Sequence, residues 1–283
     1  MSEPIKHDAS TIAGKFLGKP TVYHDTYQPS LLHAVPRSLN RELLGQDFQP
    51  TKLIGQDLLT LYEVSWLNQK GLPQVAIGNV ILSMHTINLI ESKSLKLYLN
   101  SLNQTHFTDI DAVQKTIERD LSDCAIGLVK VILLRLKDIK DVITDGLSGF
   151  CIDEQNIAIN SYTVNPHYLC NITTQDIVKE QLISHLFKSN CLITRQPDWA
   201  TVQISYYGPR MNYTALLHYL VSYRQHNEFH EQCAERIFYD ILRYCKPHQL
   251  SVYLRYTRRG GIDINPWRSN TEFVPTTCRL ARQ

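Results

Sequence analysis

Residues 216–245 read LLHYLVSYRQHNEFHEQCAERIFYDILRYC, and residues 95–124 read LKLYLNSLNQTHFTDIDAVQKTIERDLSDC. The two stretches align without a gap when position 95 is placed on position 216. In the first stretch apolar residues recur at spacings of three and four, which is typical of an amphipathic helix, and a second apolar series follows in each stretch. Identical pairs are Leu95/Leu216, Tyr98/Tyr219, Leu99/Leu220, Ser101/Ser222, Gln104/Gln225, Leu121/Leu242 and Cys124/Cys245. The pattern predicts two consecutive helices in each half of the chain, and therefore a duplicated module.

Strand-like segments flank both pairs of helices. Val202, Ile204 and Tyr206 alternate with polar residues before the second pair, and residues 80–82 take the corresponding place in the first half. Residues 250–256 alternate in the same way after the second pair, which predicts a half-buried strand. The order strand, helix, helix, strand, given twice, predicts an α+β fold with an antiparallel sheet and helices on one face.

The junction of the two modules is expected in the loop-like stretch 140–149, where Asp145-Gly146 is followed by Gly149. We therefore predict modules at residues 1–140 and 141–283. Thr108 and Asp111 are expected to cap the second helix of the first module.

Composition restricts the class of protein. The 283 residues carry a formal net charge of +2 and are 43% apolar, which is ordinary for a globular protein and gives no bulk attraction to nucleic acid or anionic lipid. The polar N-terminus does not resemble a secretory signal, and the most apolar run, residues 124–134, is too short to cross a membrane. Seven cysteines without a Cys-x-x-Cys pair favour free thiols in a reducing compartment, so we expect a cytoplasmic protein.

The stretch 91–98, ESKSLKLY, lies where a strand is predicted to end and a helix to begin. Lys93 and Lys96 are three positions apart on one helical face, and free N–H groups at a helix N-terminus attract anions. These features indicate a small phosphate site, with Glu91 and Ser92 available to hydrogen-bond a polar ligand. The alternative is an ordinary solvated start of an amphipathic helix.

Cys191 is the cysteine with the most polar surroundings in the sequence. Lys188 and Arg195 lie close to it along the chain, and cations favour the nucleophilic thiolate. Asp198 follows Pro197 in a turn-like segment that could return toward the sulfur. The alternatives are a packed thiol and an ordinary turn aspartate. Because the second half lacks the lysines and the first half lacks this cysteine, we expect one site shared between the halves.

Two further pairs carry candidate binding groups. His230 and Glu231 begin the second helix of the second half, where a carboxylate can accept N–H groups from a purine-like base or simply complement the helix dipole. Arg259 and Gly260 follow a strand, where arginine can pair with phosphate and glycine allows close backbone approach, unless they form only a basic turn. No Gly-x-Gly-x-x-Gly or phosphate-loop sequence occurs, so a Rossmann site is not supported.

Taken together, these residues resemble the NADPH-dependent 7-cyano-7-deazaguanine reductases of queuosine biosynthesis. The family motif is Glu, Ser or Leu, Lys, Ser or Ala, a hydrophobic residue, Lys, Leu or Tyr, and an aromatic residue, and residues 91–98 match it at every position. The resemblance covers nearly the whole chain and extends to the longer, two-module subgroup, which has the motif in one half and a Cys-x6-Asp pair in the other.

The resemblance implies a tunnelling fold of two tandem modules, in which sheets assemble into barrels and purine- or pterin-like substrates bind at interfaces. It implies Cys191 as nucleophile, Asp198 as proton donor and His230 as an aid to proton transfer. The substrate, 7-cyano-7-deazaguanine, would be bound by Ile90, Glu91, Ser92, His230 and Glu231. NADPH would be held by Ser92, Lys93, Lys96, Arg259 and Gly260. Reduction of a nitrile to an amine takes four electrons, hence two NADPH, through a covalent thioimide and without a metal.

The resemblance also favours a homodimer with no direct nucleic-acid partner and no membrane association. Two alternatives remain. A zinc-dependent pterin-forming hydrolase of the same fold would need a compact ligand set, and His230 with Cys233 lacks a third partner nearby in the sequence. A non-catalytic tRNA-binding protein is disfavoured by the low charge and by the lack of an aromatic and basic stripe.

Overall fold

The computed structural model describes residues 24–45, 47–139, 146–277 and 279–283, and it has a mixed α+β architecture. The helices are α1 (Ser38–Arg41), α2 (Ser92–Ser101), α3 (Ile110–Ala125), α4 (Tyr213–Val221) and α5 (His230–Cys245). The strands are β1 (Ala34–Pro36), β2 (Ile54–Leu67), β3 (Pro73–Ser83), β4 (Asn88–Ile90), β5 (Val129–Leu134), β6 (Phe150–Cys151), β7 (Thr173–Ser184), β8 (Lys188–Asn190), β9 (Pro197–Met211), β10 (Gln249–Tyr256) and β11 (Ile262–Ser269).

One large sheet runs through both halves of the chain in the order β5-β3-β2-β11-β10-β9-β7-β6, with β8 attached to β9. All pairings in it are antiparallel except that of β6 with β7, and β1 pairs with β4 in a separate two-stranded sheet. The halves meet where β11 pairs with β2 over eight residue positions. Within the described residues the sheet is open, with β5 and β6 at its edges. The predicted α+β fold with an antiparallel sheet is confirmed.

The duplication is visible in matching hydrogen bonds. The hydroxyl of Tyr98 on α2 donates to Asp120 on α3 at 2.7 Å, and that of Tyr219 on α4 donates to Asp240 on α5 at the same distance. Ser101 Oγ likewise donates to the Tyr98 carbonyl. The gap-free alignment is therefore right for α2 and α4. It is wrong by one residue for α3 and α5, because it places Asp120 opposite Ile241, whereas the hydrogen bonds place Asp120 opposite Asp240. The intervening loop is one residue shorter in the second half.

The helices cover one face of the sheet, as predicted, and each pair packs over the strands of its own half. The prediction that one face of β10 is solvent-exposed is wrong, because its polar-face residues Tyr253 and Arg255 are also buried. The C-terminal segment covers that face: Phe273 packs edge-on against Tyr253, and Arg255 donates to the carbonyl of Thr276 and to Gln283.

Two local predictions have different outcomes. The cap of α3 is Asp109, whose carboxylate accepts from the Ala112 N–H at 2.8 Å, so the predicted cap at Thr108 is wrong by one position. The predicted module boundary at residue 140 and its neighbours up to 145 lie outside the described residues, as does Cys278. In the part of the chain that the structure describes, no helix is long and apolar enough for a membrane crossing.

Candidate active site

A cavity of about 340 Å³ lies between the two halves of the chain. It is lined by all eleven site residues that the sequence predicts: Ile90, Glu91, Ser92, Lys93, Lys96, Cys191, Asp198, His230, Glu231, Arg259 and Gly260. The first five belong to one half and the other six to the other half. The prediction of a single shared site therefore holds in its geometry, and the roles of the individual residues stay predictions.

The wall from the first half is the end of β4 and the start of α2. Glu91 is the N-cap of α2, and its carboxylate accepts from the backbone N–H of Lys93 at 2.9 Å and of Ser94 at 2.7 Å. The sequence predicts that these N–H groups are free to bind a phosphate, and this prediction is wrong. They are satisfied by Glu91 itself, so any anion bound here must be held mainly by the lysine side chains.

Cys191 lies in the short loop between β8 and β9. The loop is closed by two backbone hydrogen bonds, from Cys191 N–H to the Gln196 carbonyl and from Arg195 N–H to the Cys191 carbonyl. Asp198 is the second residue of β9 and pairs with Ser189 of β8, so it is in a strand rather than the predicted turn. The pairing of β8 with β9 brings Cys191 and Asp198 to the same cavity wall.

The Asp198 carboxylate is almost fully buried and has two nitrogen partners. Oδ2 lies 3.2 Å from His230 Nε2, and Oδ1 accepts from Arg259 Nη1 in a close ion pair. Burial alone would raise the pKa of Asp198, but the hydrogen bond from His230 and the charges of His230 and Arg259 outweigh it, and the pKa is lowered. In this arrangement Asp198 is a carboxylate and accepts a proton before it can donate one.

Arg259 is the cation that meets the candidate nucleophile. Its pKa is raised: burial acts downward, but Asp198 and then the Cys191 sulfur stabilise its positive charge. The cations expected from the sequence do not fill this role. Lys188 binds Asn190 Oδ1 and the Arg224 carbonyl, and Arg195 is exposed and is not among the lining residues.

The start of α5 contributes His230 and Glu231. The His230 ring packs against Tyr256 with centroids 3.9 Å apart, which restricts the ring plane, and its Nε2 faces Asp198. Glu231 is buried, and burial together with the negative charge of Asp57 raises its pKa. A buried carboxyl with a raised pKa gains strongly from N–H donors on a ligand, because they stabilise its ionised form.

Lys96 and Gly260 form the basic side of the cavity. Lys96 forms an ion pair with the exposed Glu63, and partial burial lowers the pKa of Lys96. Gly260 has a positive φ of 58°, and a side chain at this position would first meet Lys96, at 4.0 Å. The loop that carries Arg259 thus lies directly beside the start of α2.

Several further residues line the cavity to which the sequence alone assigns no role. Glu228 is buried and bridges His226 and Arg236 at 2.8 and 2.7 Å, which lowers its pKa to about 2 although burial opposes this. Gln196 accepts from Arg259 at 2.8 Å. Phe229, the N-cap of α5, adds an aromatic surface. Glu228 and Phe229 directly precede His230, and Gln196 lies between Cys191 and Asp198, so proximity along the chain is the signal that indicates all three.

The cavity does not suit a zinc hydrolase. Cys233, the suggested partner of His230, is on the core-facing side of α5, is fully buried, and does not line the cavity. Within the described ranges the only group of three candidate metal ligands lies elsewhere, at Cys151, Asp153 and His185.

Two family models match the chain. Residues 23–133 match the model described as nitrile reductase, 7-cyano-7-deazaguanine-reductase N-term, and residues 197–274 match the one described as QueF-like protein. Together they cover more than half of the chain and most of the cavity lining, including Glu91 and Asp198, whereas Cys191 lies just before the second match. The fold is that of two tandem tunnelling-fold modules, and the chain belongs to the 7-cyano-7-deazaguanine reductase family, the nitrile reductases of queuosine biosynthesis.

Proposed function

We propose that this chain reduces the nitrile of 7-cyano-7-deazaguanine to an aminomethyl group, with NADPH as reductant and a covalent thioimide on Cys191 as intermediate. The observation that carries the proposal is the single cavity in which a cysteine, a charged aspartate, a histidine and a buried glutamate meet three basic side chains. A nitrile carbon is a weak electrophile, so it needs both a strong nucleophile and a proton for its nitrogen.

The lowered pKa of Asp198 refines the opening step. Burial opposes ionisation, but His230 and Arg259 keep the carboxylate charged, so it first takes the proton from the Cys191 thiol. The sulfur then bonds to the nitrile carbon, one C–N π bond breaks, and the proton passes from Asp198 to nitrogen. Movement of Arg259 away from Asp198 would make this donation easier, because the guanidinium is one of the groups that lower the pKa of Asp198.

The basic residues fit a phosphorylated dinucleotide. Lys93, Lys96 and Arg259 converge on one cavity beside Gly260, whose lack of a side chain leaves room near Lys96. We propose that they and Ser92 hold NADPH, which supplies hydride when bound. His230 orients Asp198 throughout and moves protons to the nitrogen during the second reduction. Ile90 and Phe229 provide apolar walls for a flat heterocycle.

The assembly and the compartment are part of the proposal. We propose a cytoplasmic protein, because its free cysteines suit a reducing compartment. We also propose a homodimer, because the open sheet edge at β6 offers backbone groups that a second copy can pair. The opposite edge suits pairing less well, since the Val131 and Leu133 N–H groups of β5 donate to Glu118 and Gln114 on α3. Light scattering at the mass of a single fully active chain would contradict the dimer.

Intact-mass spectrometry of enzyme and substrate without NADPH tests the covalent step. We expect a gain equal to the whole substrate, because addition to a nitrile expels nothing, and we expect peptide mapping to place it on Cys191. Cys191→Ala should abolish adduct and turnover, and Asp198→Ala should slow adduct formation about 10²–10⁴-fold. Cys170→Ser is the matched control, since this exposed thiol lies outside the cavity. An adduct on another cysteine, or turnover by Cys191→Ala, would refute the assignment.

Turnover tests the reductant separately. With excess NADPH, loss of absorbance at the nicotinamide band should correspond to two NADPH for each aminomethyl product. One NADPH per product, or equal rates with NADH, would contradict the proposed cofactor use while leaving the adduct test intact.

A further inference from the structure

Cys151, Asp153 and His185 form a cluster outside the cavity. One ligand atom from each lies within 4.8 Å of the others. The backbone explains this proximity: Cys151 on β6 is paired with Ile183 near the end of β7, and His185 follows directly after β7. The His185 N–H also donates to Asp153 Oδ2 at 2.8 Å, which ties the two residues together.

The histidine is held in an orientation suited to a metal. His185 Nδ1 lies 3.1 Å from Thr201 Oγ1 on β9. When Nδ1 carries the proton and donates it to this hydroxyl, Nε2 keeps its lone pair, the tautomer that a metal-binding histidine needs. Metal-binding histidines usually have such a second hydrogen bond.

The carboxylate has a buried oxygen without a donor. Asp153 Oδ1 is inaccessible to solvent, and no hydrogen-bond donor among the described residues reaches it. Such an atom is costly unless a cation or another donor satisfies it. A bound cation would satisfy this oxygen.

We propose that Cys151, Asp153 and His185 bind a divalent transition-metal ion of the zinc class. A thiolate, an imidazole nitrogen and a carboxylate oxygen are the ligand types that Zn²⁺ selects, and water would complete a tetrahedral site. Bonds of about 2.0–2.3 Å require the three atoms to approach slightly. Rotation of the exposed Cys151 side chain provides this movement while His185 keeps its contact with Thr201. The ion would fasten the short strand β6 to the β7–β8 turn, and it has no part in the proposed reduction.

Cobalt chloride is the probe for this site in the full chain after chelator treatment. We expect one equivalent of Co²⁺ to bind with a thiolate-to-cobalt charge-transfer band in the near ultraviolet, and Zn²⁺ to displace it. Cys151→Ser should abolish the band, and His185→Gln should weaken binding at least tenfold. Asp153→Asn keeps the acceptor for the His185 N–H but should also weaken binding.

Cys170→Ser is the matched control, because Cys170 is another exposed thiol, 3.6 Å from His167 Nδ1 but without a third candidate ligand among the residues that the structure describes. It should leave the cobalt spectrum unchanged, as should Cys191→Ala, and circular dichroism should show that all five variants fold. The site is refuted if the band survives in Cys151→Ser, disappears in Cys170→Ser or Cys191→Ala, or requires millimolar cobalt.

Discussion

At the scale of single residues, Glu231 and Asp198 are two carboxyls in one cavity whose environments act in opposite directions. Burial and the neighbouring Asp57 raise the pKa of Glu231, whereas His230 and Arg259 overcome burial at Asp198 and lower its pKa. Divergent carboxyls of this kind indicate different roles. Asp198 suits proton transfer with the thiol, and Glu231 suits recognition of N–H donors.

Glu231→Leu tests the recognition role. The variant should weaken substrate binding by about 1–3 kcal/mol, because the substrate N–H groups would be left without an acceptor, and NADPH binding should change much less. Calorimetric titration of each ligand measures the two effects separately. Wild-type substrate affinity should also fall with decreasing pH, as Glu231 becomes protonated below its raised pKa. Equal losses for both ligands would give Glu231 a structural role instead.

At the scale of elements, α2 depends on Glu91 for its first turn. The Glu91 carboxylate accepts from two backbone N–H groups at the N-terminus of α2, so a structural cap explains this residue independently of any substrate. If Glu91 also binds the substrate, as we propose, the motif has two functions that its pattern cannot separate.

Glu91→Asn and Glu91→Ala separate them. Asparagine is a good N-cap, so Glu91→Asn should keep the unfolding free energy within a few tenths of a kcal/mol, whereas Glu91→Ala should lose roughly 0.5–2 kcal/mol. Urea unfolding measures both. If Glu91 also contacts the substrate, the asparagine variant should bind it more weakly while remaining stable. An equal loss of stability in the two variants would show that the cap contributes little.

The helices and strands could be predicted because their signals are local. Apolar spacing within residues 95–124 predicts α2 and α3, and alternation around Ile204 predicts β9. The contacts that define the site are not local: Arg259 meets Asp198 across 61 positions, and its proximity to Cys191 depends on the loop between β10 and β11. The covered face of β10 was missed for the same reason, since Phe273 reaches it from the C-terminal segment.

At the scale of the whole molecule, a buried charge network joins the two halves. Arg268 on β11 is fully buried and binds Asp57 on β2 at 2.8 Å and Glu235 on α5 at 3.0 Å. Two arginines of the first half bind the same carboxylates: Arg37 binds Asp57 at 2.6 Å, and Arg41 binds Glu235 at 2.7 Å. Burial would raise the pKa of Asp57 and Glu235, but the arginines lower both. The charges of Asp57 and Arg37 also affect the pKa of Glu231, so the network extends to the candidate active site.

Arg268→Met tests the contribution of this network to stability. Removing one partner leaves buried carboxylates short of positive charge, so we expect the unfolding free energy to fall by about 3–5 kcal/mol at pH 7. Arg210→Met is the matched control, because Arg210 is half-exposed and lies 3.8 Å from Glu180; it should cost no more than about 0.5 kcal/mol.

The difference in unfolding free energy between wild type and Arg268→Met should depend on pH, because the pKa values of Asp57 and Glu235 are lowered in the folded protein. A carboxyl with a lowered pKa in the folded state stabilises the fold above its unfolded pKa of about 4 and loses this contribution as the pH falls further. The gap in unfolding free energy between wild type and Arg268→Met should therefore be full at neutral pH and narrow below about pH 4. Urea unfolding at a series of pH values measures it. If Arg268→Met costs no more than Arg210→Met, or if the gap widens in acid, the halves are held together by apolar packing and strand pairing rather than by these charges.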